Sequence, residues 1–399
     1  MAGGGSIEER KNKNGNISYR LVYSMGLDAA GKQIKKYKTV KCKNKTEAKK
    51  LLREFIMEAE KNIEQGIEPS KKKFGDYVEK VWSEFAEEKL SKNTLATYRI
   101  HLKNSITPFF ENTIISKVRA DHIDTYIKEL KKSKRKDGKE GALSSATIQF
   151  HYRVIRSVMT YAFKKGHITV NPCDRAETPK VEHEPISIYD EQEMVELLQL
   201  LKSEVQHWYL FIKLALFTGM RRNELLALQW KNVDFKNNII NVRHSVQYTK
   251  QDKHELKEPK TKSSIRDISI DPELMDELKK YKTIRSQEKL KLGDKWQGGN
   301  YNFVFSTVDG KPFYPSVPGA WWRRFIKRNK FKQIRLHELR HSHACFLISK
   351  KVPLVVISKR MGHAKTSTTA DIYVHYIKEA DTEAGNLFGE LSKKTNWGN

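Results

Sequence analysis

The sequence predicts a multidomain α+β protein: a small three-stranded sheet with one helix, then an all-helical domain, then a mainly α domain holding a small antiparallel sheet. Three observations predict it. Residues 7–42 alternate apolar and polar positions about turn signals at Asn14-Gly15 and Asp28–Gly31, the pattern of hairpins. Residues 74–178 carry apolar residues at helical spacing. From Ile186 helical spacing resumes, but Ile239 to Ser245 and Arg266 to Ile270 read as short strands bracketing a polar stretch. A chain of 399 residues has room for two or three such domains, each with its own core.

In order, Ile17, Tyr19, Leu21 and Tyr23 share one strand face, and the strand from Lys32 to Cys42 carries Lys35, Lys36, Lys38 and Lys41. Asn44 with Glu47 forms a capping box for a helix through about Glu64, and Gly66 ends it. The polar stretch Glu68 to Lys73 reads as a linker. Helices are expected near Phe74–Lys89, with Phe74, Tyr77, Val81, Trp82 and Phe85 as its core face, then near Ser91–Asn104 and Arg119–Lys132. A basic loop containing Lys134 and Arg135 follows, and Ser144 caps a long helix closed by Gly166. Thr178 to Pro185 is a second linker, so the expected divisions are 1–66, 74–178 and 186–399.

Lys plus Arg number 75 against 48 Asp plus Glu, a net charge of +27, with aromatic residues at 10%. That aromatic content excludes a disordered polycation, and the charge points to a folded protein that holds a polyanion, most simply nucleic acid. The lysine-rich strand face could then lie in a DNA groove, with Lys134 and Arg135 near a phosphate backbone. Cys42, Cys173 and Cys345 are odd in number and far apart, which argues against a disulfide framework or a Cys-rich zinc module and fits a reducing cytosol. No apolar run suits a transmembrane helix or a signal core. The expected location is cytoplasmic.

Residues 335–344, Arg-Leu-His-Glu-Leu-Arg-His-Ser-His-Ala, offer two chemistries. His337-Glu338-x-x-His341 matches the short zinc-protease signature, two imidazoles and a glutamate base on one helix face. His337-x-x-Arg340 instead puts an imidazole and a guanidinium one turn apart, aimed at one anion. Three other clusters decide between them. Gly219 breaks an apolar helix and presents Arg221, which Glu224 can hold one turn on. Lys260 and Lys262 lie in the polar connection between the short strands, and Gly362-His363 precedes Tyr373 by ten residues. Together they supply what metal-free phosphoryl transfer to a tyrosine needs: guanidiniums for the non-bridging oxygens, an imidazole for the proton, a lysine for the leaving oxygen and a phenol to attack. The protease pattern is a weak signal with no clear third ligand, and it leaves the charge and the other clusters unexplained.

The boxes Thr218–Leu225, His337–Ala344 and Gly362–Tyr373 resemble those of the tyrosine recombinases (phage integrase family), in that family's order across the C-terminal half. The N-terminal layout is most like the integrases of conjugative transposons and lambda-type phages. The resemblance implies a site-specific DNA recombinase that cleaves and rejoins duplex DNA through a 3′-phosphotyrosyl intermediate, integrating or excising a mobile element. It implies arm-type DNA binding by 1–66, core-site binding by the helical domain, and catalysis by 186–399. By matching position, Arg221 and Arg340 clamp the phosphate, His337 takes the proton or contacts the phosphate, His363 is a second phosphate ligand and Tyr373 is the nucleophile, Tyr376 being the nearby rival. Lys260 is the general acid, with Lys262 open as the alternative, and Glu224 supports Arg221. The expected partners are core-type and arm-type DNA, other copies of the chain in a tetrameric synaptic complex, and accessory bending or excision factors; the location is the bacterial nucleoid. Neither a metal nor another cofactor is expected. A tail ending in Leu387-Phe388-Gly389-Glu390-Leu391 suits docking on its own or a neighbouring subunit. A type IB topoisomerase-like enzyme remains the alternative, and a zinc metalloprotease the remote one.

Overall fold

The computed structural model describes residues 4–11, 17–27, 33–42, 44–64, 66–133, 141–182, 186–247, 255–257, 264–299, 301–364 and 366. The chain divides into two compact units, Met1–His183 and Glu184–Asn399.

In the first unit, β1 (Gly5–Lys11), β2 (Ile17–Leu27) and β3 (Gln33–Val40) form an antiparallel sheet in that order. The helix α1 (Lys45–Glu64) starts where Asn44 Oδ1 accepts from the Glu47 amide at 2.9 Å. It covers one sheet face: Tyr23 donates to Glu60 at 3.1 Å, and Tyr19, Leu21 and Tyr23 are buried. Pairing of Tyr23 with Lys36 and Leu21 with Lys38 puts both lysines on this covered face, and Lys38 reaches over the Phe55 ring toward Glu58. Lys35 pairs with Ser24 on the open face, beside Tyr37, whose ring lies 4.0 Å from the Arg20 guanidinium. The three lysines therefore do not share a face, because side chains alternate with every residue of a strand.

The helical part of this unit runs α2 (Phe74–Tyr77), a π turn at Val78–Trp82, α3 (Ser83–Lys89), α4 (Lys92–His101), a second π turn at Leu102–Ile106, α5 (Thr107–Phe110), α6 (Ala120–Lys132) and α7 (Ser145–Lys164). The helix expected to stop near Asn104 thus continues to Phe110 through the π turn. Ser91 and Ser144 cap α4 and α7 by accepting from the Thr94 and Thr147 amides. Phe74, Tyr77 and Trp82 are buried in the core, as their spacing predicts, with Val81 and Phe85 packed at its margin. The Glu68–Lys73 stretch, polar enough to read as a linker, is pinned to the end of α7: the amides of Glu68 and Ser70 donate to the carbonyls of Gly166 and His167 at 2.8 and 2.9 Å.

The second unit is built around α9 (Gln206–Thr218), which follows α8 (Glu191–Leu201). Leu210, Phe211, Ile212 and Leu214 lie on all sides of α9 and are fully buried, so this helix is the centre of its core. After α10 (Arg222–Leu226), the strands β4 (Val233–Asp234) and β5 (Ile239–Val242) lead into a two-stranded ribbon, β6 (Ser245–Gln247) with β7 (Glu255–Lys257), and then β8 (Arg266–Ser269). β8 returns to pair with β5, giving the expected small antiparallel sheet. The ribbon gives structure to part of a connection that composition marks only as polar. The remaining helices are α11 (Pro272–Leu292), α12 (Val317–Arg328), α13 (Glu338–Ser349) and α14 (Leu354–Met361). α13 packs against both α9 and α14. Cys42, Cys173 and Cys345 form no disulfide, and no helix of the described residues is long and apolar enough to cross a membrane.

Candidate active site

Two helices of the second unit end in left-handed glycines, and both ends matter. Gly219 (φ +63°) closes α9, and a Cβ there would stand 2.6 Å from the His343 ring. Gly362 (φ +67°) closes α14, with the His363 amide donating back to Ser358 at 3.0 Å. These endings turn main-chain carbonyls toward α13. Arg340, which is 3% exposed, donates Nη1 to the Gly219 carbonyl and Nη2 to the Met361 carbonyl.

Arg221 sits in extended conformation just before α10. The Glu224 carboxylate, one turn on, accepts from the Arg221 amide and from Nη1, both at 2.9 Å, while Nη2 reaches the Gly362 carbonyl at 3.4 Å. Glu224 is almost fully buried and also accepts from Arg266 Nη2 at 2.9 Å. Burial pushes its carboxyl pKa up, but Arg266 and Arg221 outweigh that and hold it below the usual range. The carboxylate is therefore ionised and committed to orienting guanidiniums.

Burial, then Arg340 and Arg221, push the His337 and His363 imidazoles down, His363 to about 4. Both are neutral at pH 7, so each can take a proton. A groove of about 590 Å³ opens beside Arg221 and His337, lined also by Arg222, Ser245, Arg323 and Arg335. Its charged groups are all cationic, a surplus suited to a phosphodiester gaining charge in its transition state.

The structure thus brings Arg221, Glu224, His337, Arg340 and His363 into one cluster. Lys260, Lys262, Tyr373, Tyr376, Lys134, Arg135 and the C-terminal tail lie outside the described residues. Sequence reasoning missed Arg266, although the alternation Arg266, Ile268, Ile270 puts it on an inward strand face, and all three are buried. It also missed Arg360, which donates to the carbonyls of Phe217 and Ser269 at 2.9 Å, and His343, whose ring Nδ1 meets the Leu216 carbonyl at 2.8 Å. In the protease pattern, the Glu338 carboxylate is instead engaged by Arg335, through its amide and its Nε. Among the described residues no group of three His, Cys, Asp or Glu side chains could hold a metal ion.

Two family models match: the phage integrase family over residues 188–380, and the phage integrase N-terminal SAM-like domain over residues 73–131. The chain is 29% identical over 396 residues to a tyrosine recombinase XerC-like protein of Caldanaerobacter subterraneus subsp. tengcongensis, covering 95% of this chain and 97% of that one. It is 25% identical over 290 residues to the ICEBs1 integrase of Bacillus subtilis, covering 73% and 76%. In fold it is similar to the Tn1549 transposon integrase, solved with circular intermediate DNA (TM-score 0.61, 21% identity, 77% of this chain and 98% of that chain). A lambda integrase dimer bound to a core site gives a TM-score of 0.54 at 15% identity, covering 91% and 93%. These relatives give no support to the topoisomerase-like or protease alternatives. With the two models together matching more than half of its length, the chain belongs to the phage integrase family, the tyrosine recombinases.

Proposed function

We propose that this site-specific DNA recombinase uses Tyr373 as its nucleophile and Arg221, His337, Arg340, His363 and Lys260 as its catalytic groups. One observation carries the proposal: four side chains from three separated segments converge on one point, and Glu224 neutralises only part of their charge. In cleavage, the Tyr373 oxygen attacks the scissile phosphorus and passes its proton to neutral His337. The bond from phosphorus to the 5′ oxygen breaks, and Lys260, or Lys262, supplies the proton that makes it a hydroxyl. Arg221 and Arg340 hold the non-bridging oxygens, with His363 as a further donor. The 3′-phosphotyrosyl bond keeps the energy of the phosphodiester, so attack by a 5′ hydroxyl of a partner strand rejoins DNA with no cofactor.

Duplex DNA is the partner, and its arrangement follows the expected division. Residues 186–399 catalyse, 74–178 grip the core site, and 1–66 bind arm-type sites. On the sheet, Arg20, Lys35 and Tyr37 form the face offered to DNA, with Lys36 and Lys38 on the opposite face, toward α1. Four copies act in the synaptic complex, the apolar tail cluster seats on a neighbour, and accessory bending or excision factors select integration or excision of a mobile element in the bacterial nucleoid.

The test uses nicked duplexes, labelled on the attacked strand, incubated with the protein in chelator and run on a denaturing gel. A covalent protein–DNA band given by the natural chain and absent from Tyr373→Phe is expected. No such band across a library of duplexes that the protein binds would sink the assignment.

A further inference from the structure

Three consecutive carbonyls at the end of α14 each accept a different guanidinium. The Arg360 carbonyl takes Arg266 Nε at 2.6 Å, Met361 takes Arg340 Nη2, and Gly362 takes Arg221 Nη2 at 3.4 Å. A helix C-terminus presents unpaired carbonyls and the negative end of the helix dipole, so it suits cations held side by side. Unlike Arg221, Arg266 does not line the groove. Its side chain is 3% exposed, and its other contacts are the Ser264 carbonyl at 3.2 Å and the Glu224 carboxylate at 2.9 Å.

We infer that Arg266 is a positioning residue, which bridges Glu224 to the end of α14 and so fixes where Arg221 stands relative to Arg340. The physical reason is that Arg221 is the least secured of the clamp. Its side chain is 38% exposed, and its Nη2 contact is the long one. Glu224 can orient it only if the carboxylate is itself held, and a buried carboxylate with one partner would be free to follow that partner. Arg266 supplies the second anchor, and its planar fork lets Nη2 hold Glu224 while Nε holds the Arg360 carbonyl. Lysine, a point charge, cannot do both. Arg360 in turn is stitched to α9 and β8 through the Phe217 and Ser269 carbonyls, so the anchor is not itself mobile. The plain alternative is that Arg266 only neutralises a buried charge.

The inference rests on Arg221 and Arg340 being the phosphate clamp, and the experiment separates the two. A duplex that the natural chain cleaves is first taken from a random library by covalent capture. Single-turnover cleavage is then measured on that duplex with an ordinary phosphodiester and with a methylphosphonate at the scissile position, which lacks one oxygen charge. Arg266→Gln should slow the phosphodiester by roughly 10- to 100-fold, the scale of a misplaced group, with duplex affinity unchanged. On the methylphosphonate, where the clamp has less charge to stabilise, the same variant should lose no more than about threefold. The ratio of the two rates within one preparation does not depend on how much of the protein is folded. Equal slowing on both substrates, or none on either, overturns the inference. Arg266→Lys should fall between the two proteins; cleavage at the natural rate would reduce Arg266 to a charge and overturn the bridging role. If the natural chain captures no duplex, or Tyr373→Phe still forms the adduct, the clamp assignment itself fails.

Discussion

The guanidiniums at the end of α14 and the lysines of the first sheet carry the same sign of charge, yet the chain treats them oppositely. Arg340 and Arg266 are buried, and main-chain carbonyls or Glu224 hold them in place. Lys35 is exposed on the open sheet face. A pinned guanidinium has lost its water and side-chain freedom on folding, so it costs no further reorganisation when charge develops before it. An exposed lysine keeps both, and what it gains from a phosphate comes largely through released counterions. Pinned cations should therefore govern rate, and solvated ones should govern salt-dependent affinity.

The sharpest way to break this division is Arg340→Gln. Removing one preorganised donor to a reacting oxygen costs roughly 100- to 1000-fold in rate. Single-turnover cleavage at saturating DNA should fall by about that factor, while the salt slope of binding stays nearly fixed. A loss confined to affinity would mean that Arg340 behaves like the sheet lysines.

A second difference is titration. Burial, with neighbouring cations, lowers His341 to about 4 and His343 to about 3. Their unfolded value is near 6.5, so between that pH and the folded values the unfolded chain binds more protons. Stability from these groups is complete above about pH 6.5 and is lost as pH falls toward 4, at up to about 1.4 kcal/mol per pH unit per histidine. Urea unfolding from pH 7.5 to 5.5 should show the second unit losing stability first. A flat profile there would remove the burial argument. The lysines contribute nothing in this window.

Third is the backbone that aims the carbonyls. Gly219→Ala must keep a left-handed φ, at about 1–2 kcal/mol, and must also move the His343 ring. A lowered melting temperature is expected, with cleavage slowed because the Gly219 carbonyl is one of the two that hold Arg340. An unchanged melting temperature would show that the helix end has another conformation.

Much of this was legible in the sequence where the physics is local. The Arg221–Glu224 pair follows from residues three apart at a helix start, and the Asn44 cap from its spacing to Glu47. The apolar run of α9, interrupted by Lys213, marks a helix buried on all sides. What sequence could not give is pairing chosen by packing: Arg340 with carbonyls 121 and 21 residues away, or Arg266 with Glu224. No spacing rule reaches that far, because α9, α13 and α14 meet only through the core. The sheet is a different case. Strand parity in the sequence already separates Lys35 from Lys36 and Lys38, and grouping them by charge alone hid it.

That parity gives the smallest effect and the cleanest control. Lys35 and Lys38 stand three residues apart in β3, with equal charge and similar exposure of the strand, but they lie on opposite faces. If the open face meets DNA, Lys35→Ala should reduce the slope of log affinity against log salt by about 0.9, one phosphate contact. Lys38→Ala should leave that slope nearly unchanged, because its ammonium lies toward Glu58 at 3.8 Å and over Phe55 on the α1 side. That ion pair is exposed, so its loss should hardly move stability either. Neither variant should alter single-turnover cleavage at saturating DNA. Equal slope changes from the two would mean that the sheet meets DNA by its edge, where both lysines reach phosphates, and the open-face reading would give way to that one.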